Sequence, residues 1–249
     1  MTFVKYMLKQ SCKAVGIFFL WYWLLVCNIE HLTANHPNKK SSSPLFISLG
    51  SHCEPSQQLI LNNLRSAAFP FDWLLTLDFP GFLSLIQDDF ALFMDKRHLE
   101  QDSHGVVLNT YYHIDFRHEL HDWADNDFMK HFPEIKEKYQ RRIQRFKECR
   151  HNKTRAYFIR AAFDLNLNPH LPTITKECTK VDAVQARTLK NLLRQKFPQL
   201  DFYVVILNYE EEKTAPITGE ERVLEFKIRK SHKKEDYAKV FQLLLEHAR

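Results

Sequence analysis

A cysteine stands in this sequence where its thiol could act as a nucleophile. The apolar run over residues 45–49 predicts a buried strand, Gly50 permits a sharp turn, and Cys53 follows just before a predicted helix. The helix begins either with a capping box opened by Ser51 or with Pro55 as its first residue. Either start puts the thiol beside unpaired backbone N–H groups, so we expect a pKa below the value of about 8.5 for free cysteine. The same N–H groups could bind an oxyanion during acyl transfer, although a packed structural cysteine is the alternative.

A cysteine nucleophile needs a histidine as base and a third group that orients the imidazole. Residues 111–118 alternate like a strand, which predicts that His118 lies on the apolar face at the strand's end. Asp72 could orient that histidine or fix the loop beside Cys53, and Asn208, after another strand, is the substitute. Each has a structural alternative, since the histidine could cap an apolar face and the carboxylate could accept local backbone hydrogen bonds.

Two arginines could bind an anionic group of a substrate. Arg160 ends a predicted strand, at the edge where open α/β sheets bind ligands. Arg142 belongs to a basic cluster on a long predicted helix, and arginines can clamp a carboxylate or a phosphate. Glutamates interleave with this cluster, so an ordinary solvent-exposed charged face is the alternative.

Alternating strands and helices must position these side chains. The predicted strands are residues 45–49, 111–118, 156–161, 202–207 and 223–228. The predicted helices are residues 55–64, 79–93, 132–148, 181–197 (with Asp182 as its cap) and 237–245. This order predicts a single-domain α/β fold with a partly parallel sheet flanked by helices.

The first thirty residues differ from the remainder. Lysines precede an uncharged, aromatic-rich stretch over residues 14–29, which is typical of a signal peptide or a short membrane anchor. The flanking lysines and the lack of a good cleavage site favour an uncleaved anchor. We expect the domain to be membrane-associated through this one segment, or secreted if it is cleaved, and that choice decides whether Cys149 and Cys178 can pair.

The chain therefore divides into three parts. They are a basic leader with a hydrophobic anchor or signal segment (1–30), a polar linker (31–44) and an α/β domain (45–249). The last part has about 200 residues, a normal size for one domain with a single core.

Glycine and cysteine spacing excludes several cofactor sites. The five glycines lie far apart, so no G-x-G-x-x-G motif or P-loop can form. No C-x-x-C motif occurs, and the histidines at 118 and 121 stand one residue too close for an H-E-x-x-H zinc site. The net charge of +5 is too modest to indicate nucleic-acid binding. We expect no metal, no cofactor and no nucleic-acid partner.

Five motifs occur in order along the chain. They are S-L-G-x-x-C (48–53), P-F-D-W (70–73), an aromatic strand ending in a histidine–acid pair (111–119), K-Y-x-R-R-I-x-R-F (138–146) and Y-F-I-R (157–160). This series resembles an uncharacterised family whose members are named putative papain-like cysteine peptidases. The resemblance implies a hydrolase with a cysteine–histidine site and a peptide or acyl substrate. In that family an aspartate and an aromatic residue usually follow the histidine; here they follow His121, which is therefore the substitute for His118.

Two other functions remain open. A basic tail, an anchor, a polar stem and an α/β domain form the layout of membrane-anchored glycosyltransferases. Asp125-Asn126-Asp127 has the D-x-D form that can hold a metal ion with a sugar diphosphate. The second is a non-catalytic binding module in which Cys53 is only packed.

Overall fold

Seven strands and five α-helices make up the part of the chain that the structure describes. The structure is a computed structural model that describes residues 43–76, 78–102, 105–119, 125, 127–163, 180–211, 217 and 219–249. The strands are β1 (Leu45–Ser48), β2 (Leu99–Gln101), β3 (Val107–Asn109), β4 (Ile114–Asp115), β5 (Ala156–Ala161), β6 (Phe202–Tyr209) and β7 (Val223–Ile228). The helices are α1 (Glu54–Leu61), α2 (Phe79–Gln87), α3 (Phe128–Glu148), α4 (Ala183–Lys196) and α5 (Lys233–His247).

The strands form two sheets. The main sheet has the order β1–β5–β6–β7, and every neighbouring pair in it is parallel. Strands β2, β3 and β4 form a small antiparallel sheet. All six residues of β5 are buried, which agrees with a continuous apolar run covered on both faces. The predicted α/β fold with a parallel sheet flanked by helices is confirmed.

Helices cover both faces of the main sheet. One hydrophobic cluster joins the first face of the sheet to α2, α3 and α4 through residues such as Phe158, Phe82, Ile135 and Leu189. A second cluster joins the opposite face to α1 and α5 through Tyr157, Leu59, Phe241 and Leu244. The alternation of side chains along each strand divides the apolar residues between these two clusters.

Aspartate caps explain where several helices begin. The carboxylate of Asp182 accepts from the Gln185 N–H at 2.8 Å, and the Gln185 side chain accepts in return from the Asp182 N–H. This capping box confirms the predicted start of α4. Asp127 similarly caps α3 by accepting from the Lys130 N–H at 3.0 Å.

The segment predicted as a strand over residues 111–118 is mostly a turn. Only Ile114 and Asp115 form a strand, and His113 adopts a φ of +53°. The alternation therefore ends three residues before His118, and the argument that placed this histidine on the apolar face of a strand is wrong. Burial of Tyr112 and Phe116 around the turn produces the apolar pattern that resembles a strand.

Helix α2 is shorter than predicted. It ends at Gln87, and both Asp89 and Phe90 have positive φ angles that stop the helix. Phe90 and Phe93 are nevertheless buried, so the helical spacing of apolar residues continues through a non-helical turn.

The proposed anchor and all but the last two residues of the proposed linker lie outside the described residues, and so does Cys178, the partner considered for Cys149. None of the helices that the structure describes is long and apolar enough to cross a membrane. The membrane association of the N-terminal segment stays a prediction.

Candidate active site

Cys53 lies just beyond the carboxyl end of β1, at the edge where open α/β sheets bind ligands. Strand β1 is adjacent and parallel to β5. The helix that follows β1, α1, packs on one face of the sheet, and α4, the first described helix after β5, packs on the other. The candidate nucleophile therefore lies at the edge to which the carboxyl ends of the parallel strands point.

The turn between β1 and α1 depends on Gly50. Its φ of +79° lies in the left-handed region that favours glycine. A Cβ atom at this position would lie 2.9 Å from Thr76 Oγ1 and 3.4 Å from Arg160 Nη1. Gly50 therefore provides the sharp turn that the sequence predicts and also leaves room for two neighbouring side chains.

Gly50→Ala is expected to lower the free energy of unfolding by about 1–3 kcal/mol, because alanine is strained at positive φ and its methyl group crowds Thr76. Gly219→Ala is the matched control, since Gly219 has a φ of +75° and no atom lies within 4 Å of the added Cβ. Urea denaturation of both variants measures the difference. Equal losses would mean that the packing around Gly50 contributes nothing.

Cys53 is the N-cap residue of α1, and its side chain is half-buried. Pro55 lies in the first turn, but no side chain caps the helix. The Ser51 hydroxyl instead donates to the Ala161 carbonyl oxygen at 3.0 Å, so the expected capping box is wrong. The first backbone N–H groups of α1 thus lack a side-chain acceptor, and they lie next to the thiol.

The Cys53 thiol is protonated at neutral pH, contrary to the expectation from the helix terminus. Burial raises the pKa of the thiol to about 11. A hydrogen bond from the Cys53 backbone N–H opposes the rise, and the negative charge of Glu54 adds to it. The dipole argument considered the helix end alone, whereas desolvation and the adjacent carboxylate outweigh it.

A histidine that the sequence analysis overlooked lies next to the cysteine. His52 is 3 % exposed, and its Nε2 lies 3.2 Å from Glu54 Oε2 while its Nδ1 lies 3.2 Å from Ser51 Oγ. Both ring nitrogens are therefore occupied, which makes His52 unsuitable as a free base for Cys53. The sequence does contain a signal that could have identified it, because the ionisable residues His52 and Glu54 lie on either side of Cys53.

Glu54 connects the turn of Cys53 to the carboxyl end of β6 and to the start of α5. The Tyr209 hydroxyl donates to Glu54 Oε2 at 3.3 Å, and Lys233 Nζ lies 3.3 Å from the same oxygen. Burial alone would raise the pKa of the Glu54 carboxyl, but hydrogen bonds and positive charge from His52 and Lys233 hold the pKa below its ordinary value. The carboxylate is thus ionised and held in place beside Cys53.

Arg160 stabilises the turn at Gly50 through buried hydrogen bonds. It is 3 % exposed, donates to the Leu49 carbonyl oxygen at 2.8 Å and also donates to the hydroxyl and carbonyl oxygens of Thr76. Its guanidinium carbon lies 4.2 Å from the centre of the Phe82 ring. These contacts tie β5, the Gly50 turn and α2 together, and such burial favours a supporting role over direct contact with a substrate.

The Asp72 carboxylate fixes the P-F-D-W loop. It is 2 % exposed and accepts from Arg65 Nη2 at 2.7 Å, from Arg65 Nε at 3.1 Å and from the Phe69 N–H at 3.0 Å. Of the two roles that the sequence left open, these contacts match the fixing of the loop.

The histidine expected as the base lies against the same loop. His118 is half-buried, and its ring centroid is 6.2 Å from that of Trp73. Three residues further along, the Thr76 N–H donates to the Ser51 carbonyl oxygen at 2.8 Å. Residues 73–76 thus link the neighbour of His118 to the turn of Cys53 over at most about 10 Å of chain. The substitute base, His121, lies outside the described residues.

Arg142 belongs to a buried polar network on α3 rather than to an open surface. It is 5 % exposed, and its guanidinium carbon lies 5.5 Å from the centre of the Tyr139 ring. The Tyr139 hydroxyl donates to Glu119 at 2.7 Å, and Lys138 forms an ion pair with the same carboxylate. Burial and the charge of Glu119 raise the pKa of Tyr139 well above its usual value. The network joins the histidine–acid segment to the long basic motif.

Asn208 anchors the start of α4. Its side chain is fully buried, accepts from the Val181 N–H at 3.0 Å and donates to the Val181 carbonyl oxygen at 2.9 Å. It also donates to Glu225 at 2.8 Å. These bonds occupy the amide, and they involve β7 and α4 rather than the turn of Cys53.

The two aspartates of the D-x-D motif are engaged locally. Asp125 binds Lys130 and lies 2.8 Å from His131 Nε2, while Asp127 caps α3. Within the described part of the chain, no group of three or more histidine, cysteine, aspartate or glutamate side chains could hold a metal ion.

Comparison with known proteins identifies the family. No solved structure matches the chain significantly. A curated relative, the uncharacterized protein R408 of Acanthamoeba polyphaga mimivirus, is 29 % identical over 145 residues, which cover 51 % of this chain and 65 % of that protein. The chain therefore spans less than two thirds of the length of this relative. The sequence profile of the family described as "Putative papain-like cysteine peptidase" matches residues 44–212, well over half of the sequence. The chain belongs to this family of putative papain-like cysteine peptidases.

Proposed function

We propose that this protein is a cysteine-dependent hydrolase that transfers the acyl group of a peptide-like substrate to Cys53. The observation that carries the proposal is the position of the thiol: half-buried, just beyond the carboxyl end of a strand of the parallel sheet, and at the N-terminus of α1, where no side chain caps the helix. Open α/β sheets bind ligands at this edge, and unpaired N–H groups can stabilise a developing oxyanion. Membership of the family agrees with this chemistry.

The protonation state of the thiol dictates how attack would occur. Because the thiol carries its proton at neutral pH, a base must remove that proton while sulfur attacks the acyl carbon. The C–S bond forms, the carbonyl π electrons move to oxygen, and the proton passes to the base. Collapse of this intermediate expels the leaving amine, which takes up the proton, and water then hydrolyses the thioester. This sequence differs from attack by a preformed thiolate–imidazolium pair.

His118 is the proposed base. Its neighbour Trp73 belongs to the segment that reaches the turn of Cys53 through Thr76. In this proposal Asp72 keeps the P-F-D-W loop in place and does not itself contact the histidine. Arg160 has the same kind of supporting role on the other side of the turn.

Acylation of the folded protein by p-nitrophenyl acetate tests the proposal. We expect a burst of p-nitrophenol and an acetyl group on Cys53, identified by mass spectrometry of peptides. Cys53→Ala should abolish both, and His118→Ala should slow the burst by about 100-fold or more. Cys149→Ala is the control, because that thiol is 5 % exposed and lies far from the turn in sequence. An unchanged burst in Cys53→Ala, or no acetylated Cys53 in the wild-type protein, would leave a binding module as the better interpretation.

A further inference from the structure

The chain contains one acceptor sequence for N-linked glycosylation. Asn152-Lys153-Thr154 has the form N-x-S/T without proline, and none of the other asparagines of the chain has serine or threonine two residues after it. Such a sequence is modified where the asparagine lies on the surface of a protein that enters the secretory pathway. The position of Asn152 in the fold and the targeting of the chain therefore decide whether the site is used.

The acceptor sequence lies in a surface connection. A short 3₁₀ helix over Cys149–His151 ends at Asn152, whose φ of −71° and ψ of 137° are extended, and β5 begins only at Ala156. Asn152 and Thr154 are half-buried, and Lys153 between them is exposed. The asparagine thus lies outside the helices and strands, in the kind of segment where a bulky group can be attached without breaking the core.

Hydrogen bonds orient the side-chain amide of Asn152. Its Oδ1 accepts from the Thr154 N–H and from the Thr154 hydroxyl, both at 3.3 Å. Because a backbone N–H can only donate, the oxygen of the amide faces Thr154 and the nitrogen points away. Within the described part of the chain that nitrogen makes no hydrogen bond, and it is not a buried atom left without a partner. Asn152 Nδ2, the atom that receives the sugar, is therefore accessible to solvent.

Strand β5 separates the acceptor sequence from the candidate active site. At its amino end, the Leu45 N–H donates at 2.8 Å to the carbonyl oxygen of Arg155, the residue after the acceptor sequence. At its carboxyl end, the Ala161 N–H donates to the Gly50 carbonyl oxygen at 2.9 Å. Its six residues, at about 3.3 Å each, put about 20 Å between these two ends. A glycan at the amino end would thus leave the edge of the candidate nucleophile open.

The amino-terminal sequence predicts the compartment that this modification needs. Both alternatives for residues 1–30, a cleaved signal segment and an uncleaved anchor, would carry the following domain across a membrane. For the anchor, the lysines before the apolar stretch favour an amino end in the cytoplasm, because cytoplasmic flanks carry an excess of lysine and arginine. The domain would then lie on the lumenal side, where asparagine-linked glycans are added.

We propose that Asn152 carries an N-linked glycan and that the domain lies on the non-cytoplasmic side of a membrane. The donor is an oligosaccharide joined through its C1 atom to a lipid diphosphate, and a separate transferase of the cell catalyses the step. Asn152 Nδ2 forms a bond to C1 and loses one proton, while the C1–O bond breaks and its electron pair stays on the lipid diphosphate. This inference does not depend on the chemistry of Cys53.

Expression of the full chain in cultured eukaryotic cells, followed by digestion with peptide-N-glycosidase, tests the site. We expect the wild-type band to migrate faster on a denaturing gel after digestion. Asn152→Gln and Thr154→Val should remove this shift, whereas Thr154→Ser keeps the acceptor motif and should retain it. Asn191→Gln is the matched control, because Asn191 is exposed on α4 outside any acceptor sequence and its replacement should leave the shift unchanged.

A second acceptor sequence, in a short tag appended after Arg249, separates the location of the domain from the use of the site. Glycosylation of the tag without glycosylation at Asn152 would overturn the assignment of the site. Absence of glycan from both would overturn the location, and the inference with it. A shift that persists in untagged Asn152→Gln would also overturn the inference. None of these measurements involves Cys53, so the inference and the proposed function can fail separately.

Discussion

Asp72→Ala is expected to lower the free energy of unfolding by about 3–5 kcal/mol, because it removes the carboxylate of a hydrogen-bonded ion pair with Arg65 in a nearly dry site. The side chains of Asp72 and Arg65 are only 3 % and 13 % exposed. The substitution also removes the acceptor of the Phe69 N–H. Buried backbone N–H groups are rarely left without an acceptor, so this loss adds to the destabilisation. Urea denaturation followed by circular dichroism measures the loss.

Asp95→Ala is the control for this prediction. Asp95 accepts from the side chain and the backbone N–H of Arg97, the same kinds of bond that Asp72 makes, but Arg97 is 79 % exposed. We expect its replacement to change stability little, because water replaces the lost bonds. Similar losses of unfolding free energy in the two variants would show that burial does not increase the contribution of the Asp72–Arg65 pair to stability.

A second variant, Asp72→Asn, separates the two roles that the sequence left open for Asp72. If the carboxylate only fixes the P-F-D-W loop, Asp72→Asn should keep the acetylation rate of Cys53 per folded molecule. If it orients His118, the rate should fall in molecules that remain folded, as it does when a third catalytic group is lost. Measuring the burst at low urea, where the folded fraction is known, distinguishes these results.

The main sheet was predictable because its signals are local. Strands β5 and β7 have the predicted bounds, since each is a short apolar or alternating run between polar residues. Helix α4 follows its Asp182 cap within one residue. The strand predicted over residues 111–118 was mostly wrong, because Tyr112 and Phe116 are buried outside the two-residue strand β4 and their spacing imitates the period of a longer strand.

The surroundings of Cys53 could not be predicted because they depend on contacts between distant parts of the chain. Glu54 meets Tyr209 and Lys233, which lie more than 150 residues away in sequence. Lys233 contacts Glu54 only because α5 packs beside α1 on the second face of the sheet. The position of Cys53 at a strand end is a local property; the pKa of its thiol is a property of the packed site.

Alkylation of Cys53 by iodoacetamide is expected to rise about tenfold per pH unit between pH 7 and pH 10, because only the thiolate reacts and the pKa of the thiol is about 11. At pH 7 its thiolate fraction is about 300-fold below that of a free cysteine. The greater nucleophilicity of a more basic thiolate recovers about tenfold, so the rate should be about 30-fold lower than that of a free cysteine. Cys149, whose pKa burial raises to about 12, should react only after unfolding.

The pH dependence of Cys53 alkylation also shows whether the resting cysteine is a thiolate or a thiol that loses its proton to the base only during acyl transfer. A rate that is already constant between pH 6 and pH 9 would indicate a preformed thiolate and contradict the raised pKa. His118→Ala is the informative comparison, because a histidine that acts only during acyl transfer leaves the alkylation profile unchanged while the burst with p-nitrophenyl acetate falls. A histidine that forms an ion pair with the resting thiolate would instead shift both. The raised pKa of Cys53 therefore leads us to expect that loss of His118 affects acylation alone.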